Sequence, residues 1–353
     1  MAKSRVVGLD IGSTAVRAAE VEFGPGGPTG KHQPTLVRYA EVGLPAGAVM
    51  DAEVSEPETV ASALRDLWRR AKFSTRDVVL GVGNPRVIVR ELDLPWLPMH
   101  QLRASLPFHV QELLPMPVED ALLDYYPVGE YVGTSGRTVQ GMLVAASRET
   151  VRSNVMAAES AGLHPQMVDL NAFALLRAMA RGENAEKVVA LVDVGARTTN
   201  VIISAQGVPR FARTLPSGGQ DVTDALAGQM QIAGPEAERL KSEIGVGYSV
   251  APELSAGAAA VGEVTRTLVE AVRNTFVYYA GNNPGAGIDV ALLTGGGGLL
   301  PGLGQYLSTA SRLPVAFGDP LATLKVSGAA ERNLPSSSSM LAIPVGLAFG
   351  VAA

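Results

Sequence analysis

Val6–Val21 reads VVGLDIGSTAVRAAEV, and Val189–Ser204 reads VALVDVGARTTNVIIS. Each is a β-rich apolar run that ends in Asp-x-Gly, turns through small or hydroxyl residues and resumes as a strand. Such a repeat settles architecture before any single motif does. Outward from the first copy the pattern predicts a third strand over Thr35–Val42, a helix over Glu58–Lys72 and a strand over Val78–Val82. Outward from the second it predicts a third strand over Val208–Thr214 and a helix over Asp221–Met230. One order written twice implies an α/β chain of two related halves that face each other.

Between the repeats lies a block with no counterpart in the second half. It carries a strand at Arg86–Leu94, a Pro-bounded helix near Leu97–Leu114, strands near Leu122–Val128 and Val139–Ala146, and a helix from Glu149 to Ala161. This reads as a small α+β module inserted into the first half. Its first strand, RVIVRELDL, alternates as a strand with one covered face does; it is either an internal strand already paired on both sides or an edge for an extended partner peptide. A second, mostly helical insertion interrupts the second half at about 234–281.

The chain has 353 residues, 47% hydrophobic and 18% charged, enough to bury large cores and divide into subdomains. No cysteine is present, which excludes disulfides and thiolate chemistry and fits a cytoplasmic protein. The amino terminus does not read as a signal peptide. The most apolar stretch, Met340–Ala353, is about 14 residues and contains Pro344, too short to span a bilayer, so it reads as a buried helix. A net charge of −5 argues against nucleic acid as a partner. The basic cluster Arg65, Arg69, Arg70, Lys72 and Arg76 fits the solvated face of the Glu58–Lys72 helix. His32, His100, His109 and His164 show no metal-ligand spacing.

Phosphates held without a Walker loop need tight turns, small residues that permit close approach, and carboxylates for a metal. Asp10-Ile11-Gly12-Ser13 and Asp193-Val194-Gly195-Ala196-Arg197-Thr198-Thr199 each supply that set. At equivalent turns in facing halves, the two aspartates would flank one Mg²⁺ through its waters, with Ser13, Thr14, Thr198 and Thr199 donating to phosphates. A third element, Val290–Leu300 (VALLTGGGGLL), is a strand ending in Thr294 and four glycines, fit for close approach to a flat ligand. A fourth is Glu238 and Lys241, three apart on one helical face.

Together with the Gly218-Gly219 turn, these elements resemble, in this order and across nearly the whole chain, the actin, Hsp70 and sugar-kinase superfamily. The inserted module looks like the 1C subdomain, an SHS2 domain, of FtsA and PilM proteins. GLDIGSTAVRAAEVE (8–22) and VDLNAFALLRAM (168–179) are similar to the PilM family of type IV pilus assembly proteins. The resemblance implies an actin-like ATPase fold with two duplicated ribonuclease H-like subdomains and a 1C insertion. It implies 1A over 1–85, 162–187 and 340–353, 1C over 86–161, 2A over 188–233 and 282–339, and 2B over 234–281.

Carried over residue by residue, it implies ATP and Mg²⁺ as cofactors. Asp10, Gly12, Ser13 and Thr14 would form one phosphate loop, and Asp193, Gly195, Thr198 and Thr199 the other. Gly219 would lie beside the nucleotide, Glu238 and Lys241 would touch ribose and adenine, and Gly295, Gly296 and Gly297 would run along the adenosine. Arg17 stands where relatives often carry lysine. Asn171 stands where many carry glutamate or glutamine near the attacking water; an amide orients water but cannot take its proton, so hydrolysis should be slow at most. The implied role is a cytoplasmic assembly protein. It would recruit the tail of an inner-membrane PilN-like protein, meet other pilus assembly proteins and self-associate. Direct membrane insertion is not expected, since no amphipathic targeting helix follows the last apolar run. An FtsA-like filament scaffold and a small-molecule kinase are the alternatives.

Overall fold

The computed structural model describes residues 3–133 and 136–350. The first half opens with the hairpin β1 (Ser4–Ile11) and β2 (Ala15–Phe23), then β3 (Thr35–Gly43) and a short hairpin, β4 (Val49–Met50) with β5 (Glu53–Val54). Helix α1 (Pro57–Ala71) follows. Proline fits its first turn, Arg69 and Arg70 complement its carboxyl end, and Lys72 closes it in the left-handed region. Its Val60, Ala61, Leu64 and Leu67 face inward, while Asp66 holds Arg69 and Arg70 on the solvated side. Strand β6 (Asp77–Val82) completes this unit.

The inserted module comprises β7 (Ile88–Pro95), α2 (Met99–Val110), β8 (Ala121–Gly133) and β9 (Gly136–Ser147). Its sheet order is β7-β9-β8. One face of that sheet packs with α2 around Leu94, Leu102, Leu106, Tyr125 and Leu143. The other face rests on the main body through Met142, Val89 and Val144, with the Tyr126 ring tilted at 43° to that of Phe173, 5.3 Å between centroids. Helix α3 (Arg148–Ser160), N-capped by Ser147, turns away from this core. Its Ala157 and Ala158 join Leu64 and Leu67 in the outer core of the first half. The separately cored part of the insertion therefore ends near Ser147, and small residues set the close α1–α3 approach.

The chain returns through β10 (His164–Leu170) and α4 (Asn171–Met179). The second half repeats the opening with β11 (Val188–Val194), β12 (Thr199–Ala205), β13 (Val208–Leu215) and α5 (Gly219–Met230). Helices α6 (Gly234–Ile244) and α7 (Ser255–Asn282) form the second insertion. Then come β14 (Val290–Thr294), α8 (Leu303–Ser311), β15 (Val315–Phe317), β16 (Lys325–Val326), α9 (Gly328–Glu331) and α10 (Ala342–Ala348).

The two main sheets run β10-β6-β1-β2-β3-β16 and β13-β12-β11-β14-β15. In both, an antiparallel hairpin is extended by parallel strands on the side of its first member. Helices α4 and α10 share one core with residues of both sheets. Glycine permits this: a Cβ on Gly8 would stand 2.1 Å from the Pro344 carbonyl, and one on Gly346 1.9 Å from that of Ala174. Strand β16 pairs with β3, so the chain has rejoined the first half before the serine run begins. The apolar run after Met340 is a buried helix as expected through Ala348; its last residues, 351–353, lie outside the described ones. Among the described residues no helix is long and apolar enough to cross a membrane.

Candidate functional site

The two Asp-x-Gly turns have the same backbone closure. Gly12 N–H donates to the Ala15 carbonyl at 3.0 Å, and Gly195 N–H to that of Thr198 at 2.9 Å. Strand register then lays an equivalent row across each sheet. In the first half Asp10 pairs with Arg17 and Arg17 with Glu41; in the second Asp193 pairs with Asn200 and Asn200 with Thr214. Arg17 Nη1 lies 3.9 Å from Asp10 Oδ2, and its Nε donates to Glu41 at 2.7 Å. Asn200 Nδ2 donates to Asp193 at 3.2 Å, Thr294 Oγ1 to the other oxygen at 3.1 Å, and Thr214 Oγ1 to Asn200 at 2.9 Å.

Asp10 and Asp193 are each only 8% exposed. Burial raises the Asp10 carboxyl to about 6, against the pull of Arg17, and the negative charges of Asp193 and Glu41 push the same way. Burial also raises Asp193, offset by its bonds from Asn200 and Thr294. The Asp193 charge is thus felt at Asp10 across the gap between the halves. This is an oxygen site short of positive charge. Two carboxylates with waters and ligand phosphates are what Mg²⁺ takes, whereas an all-protein cage needs more ligands. No cluster of three or more His, Asp or Glu suited to a metal occurs among the described residues.

Beside the second turn the backbone forms a cradle. Gly219 and Gln220 N–H groups donate to the Gly195 and Ala196 carbonyls at 2.8 and 2.7 Å, joining the turn to the start of α5. A Cβ on Gly219 would stand 2.9 Å from Gly297 Cα, and one on Gly297 would stand 2.8 Å from the Gly195 carbonyl. Gly295 adopts φ +81°, where a side chain would also strike Asp193. Gly296 faces open space, with only Met340 near it. Gly219, Gly296, Gly297, Glu238, Lys241 and Leu300 border a cavity of about 60 Å³. Lys241 is buried, and its ammonium donates to the Gly219 carbonyl, Thr223 Oγ1 and Glu238 Oε2 at 3.1, 2.9 and 2.7 Å.

The family model described as type IV pilus assembly protein PilM matches residues 8–351. The chain belongs to the PilM family. Over 99% of this PilM-family chain and 98% of the other, it is similar to a solved PilM-PilN type IV pilus biogenesis complex, with 26% identity and a TM-score of 0.82. The ethanolamine utilization protein EutJ of Carboxydothermus hydrogenoformans aligns at 16% identity and TM-score 0.56 over 99% of this chain and 90% of that one. ADP-bound MreB5 of Spiroplasma citri aligns at 13% and 0.53 over 97% and 94%. These two share the fold alone, and that fold is the actin-like ATPase fold. In sequence, FtsA of Bacillus subtilis (strain 168) is 26% identical over 110 residues, 31% of this chain and only 25% of FtsA.

Of the residues singled out in the sequence of this PilM-family member, Asp10, Gly12, Ser13, Thr14 and Arg17 gather at the first turn. Asp193, Gly195, Thr198, Gly219, Glu238, Lys241 and the glycines 295–297 gather around the second. Thr199 is the exception: it is wholly buried and its hydroxyl donates to the Ser217 carbonyl at 2.8 Å, so it has no proton left for a phosphate. Lys241 likewise has its three protons engaged within the protein, which makes it a clamp between α6 and α5. Asn171 sits at the start of α4 against Gly81 and Gly83, its Oδ1 buried and without a partner. Sequence reasoning missed Glu41, Asn200 and Thr214, which only cross-strand register reveals. It also missed Arg197, which holds the second turn to α5 through Asp221 and Asp224 at 2.8 and 2.6 Å.

Proposed function

We propose that this PilM-family chain binds ATP with Mg²⁺ between the Asp10 and Asp193 turns and, in that state, holds the cytoplasmic tail of a PilN-like inner-membrane protein on its inserted module. The observation that carries the nucleotide part is the pair of buried carboxylates on matching turns, one of them held up to about 6, beside a glycine cradle that any Cβ would fill. Bound Mg²⁺ would supply charge compensation for the phosphates. The protein's residues would orient its waters through Asp10 and Asp193, and receive phosphate oxygens at Ser13, Thr14 and Thr198. Asn171, an amide with no proton-accepting role, supports slow hydrolysis.

The partner part is supported by the near full-length match to a solved PilM-PilN complex. The module offers two sheet edges, β7 and β8, each hydrogen-bonded only to β9 among the described residues. Strand β7, one candidate docking edge, lies against β13, whereas β8 exposes Leu122, Tyr126, Tyr131 and Val132. Strand β13 also gives a route for nucleotide dependence. It carries Thr214, bonded into the Asp193 row, and Arg210, whose charge acts on Glu91 of β7. A cytoplasmic location beneath the membrane would follow from the partner.

Binding of a synthetic peptide copying the partner's cytoplasmic tail should be measured with and without Mg-ATP. Affinity about tenfold higher with nucleotide is expected, equal to about 1.4 kcal/mol of coupling. Equal affinity in both conditions would remove the nucleotide-dependent step.

A further inference from the structure

The inserted module leaves the first half between β6 and β7 and returns between β9 and α3, and both crossings meet one carboxylate. Glu53, on β5, accepts from Thr150 Oγ1 in the first turn of α3 and from Asn84 Nδ2 at 3.4 Å, and Arg86 Nη2 lies 2.9 Å from the same oxygen. Asn84 and Thr150 are each only 1% exposed. Asn84 also donates to the Asp51 carbonyl at 2.8 Å and accepts from the Arg86 N–H at 2.7 Å, which ties the outgoing crossing to the β4–β5 turn.

Asp51 and Ala52 both lie in the left-handed region, at φ 51° and 60°, between Met50 and its paired residue Glu53. Such a two-residue turn ordinarily takes asparagine and glycine; here Asn84 braces it from outside. The base of the hairpin is closed by the Ala48 carbonyl, which accepts from the Ser55 and Glu56 N–H groups at 3.0 and 3.1 Å, and Ala48, Val49 and Val54 are buried with Leu64. Just upstream, Leu44 N–H donates to the Thr14 carbonyl at 2.8 Å. The segment Leu44–Glu53 therefore joins the backbone of the first Asp-x-Gly turn to both crossings of the module.

We propose that Glu53 is the hinge clamp of the inserted module, and that nucleotide on the first turn acts on the partner site through the Thr14–Leu44 bond, the β4–β5 hairpin and this clamp. The clamp's role rests on the nucleotide-dependent reading above and is one route for it. Coupling between two sites needs an element whose position both sites bias. A hairpin bonded to the phosphate turn at one end and to both module connections at the other is such an element, and 84–86 and 147–150 are the few residues at element ends that a hinge requires.

Thr150→Val keeps shape and cuts the tie to the returning crossing; Glu53→Ala removes the whole clamp. In the full chain, the gain in affinity for the synthetic tail peptide on adding Mg-ATP should fall from about tenfold in the wild type to about twofold or less in both variants. Mg-ATP affinity without the peptide should match the wild type, and Thr150→Ser should restore the gain. A tenfold gain kept by either folded variant, weaker Mg-ATP binding without the peptide, or peptide affinity lowered by the same factor with and without Mg-ATP would each overturn the proposal, the last marking a merely structural residue. A wild type that binds the peptide equally in both conditions would instead overturn the nucleotide-dependent reading, and the clamp's role with it.

Discussion

Asp10→Asn should stabilise the ligand-free protein at neutral pH while weakening Mg-nucleotide binding. The Asp10 carboxyl has an ordinary value of 3.8 and is pushed up to about 6, first by burial and then by the charges of Asp193 and Glu41. At about 1.36 kcal/mol per pH unit, that gap amounts to about 3 kcal/mol, an upper bound because Arg17 would lose a favourable neighbour. The sign follows from proton binding. Between about pH 4 and pH 6 the native chain holds a proton that the unfolded chain releases, so the stabilising contribution is present below this window and is lost as pH rises through it. Asparagine removes the charge and hence the cost, worth at most about 4 °C in melting temperature for a cooperative unit of this size. Mg²⁺ needs the carboxylate, so wild-type affinity should rise as pH climbs through about 6 and then level off, with proton uptake by the buffer. Melting curves at about pH 5, 6 and 7.5 test the stability half; calorimetry in two buffers of different ionisation enthalpy counts the proton. An asparagine variant no more stable than the wild type at neutral pH, together with wild-type affinity flat across that range, would refute the reasoning.

Asp193→Ala should abolish measurable Mg-ATP binding and, because Asn200 and Thr294 lose their acceptor, destabilise the protein by roughly 1–3 kcal/mol in denaturant titration. Lys241→Met removes the ammonium that donates to Thr223 Oγ1 and Glu238 Oε2 and should cost roughly 1–3 kcal/mol, with weaker ATP binding seen by calorimetry. Purified protein should hold ATP largely intact over many minutes; a kcat in the usual range of roughly 1–10³ s⁻¹ would favour a kinase or motor role. Because Ile88 pairs with Ala145, deleting about Arg86–Ala146 joins neighbouring points. The deletion variant should keep ATP binding and lose the partner peptide, and retained peptide binding by a folded variant would place that site elsewhere.

The hairpins were legible because a strand repeats every two residues and Asp-x-Gly punctuates both copies. Helix α3 reads as a helix from its own sequence, but Ala157 and Ala158 carry no mark of which core they enter, so its packing beneath α1 was not. The two-residue β16 leaves no periodicity to read. At the site, residue types announced Asp10, Asp193 and the glycines, while direction and register stayed hidden. Nothing in Thr198-Thr199 tells which hydroxyl turns inward to Ser217. Glu41 becomes a site residue only because β3 pairs with β2 at Arg17.

The central claim is that two matching turns, one from each half, hold one Mg-nucleotide. Titration of the full-length protein with ATP by calorimetry, with Mg²⁺ and then with excess chelator, tests it most directly. Saturable binding of one ATP per chain that is lost on chelation and in both Asp10→Asn and Asp193→Ala is the predicted result. Wild-type affinity in either variant, or no binding at millimolar ATP, would contradict it.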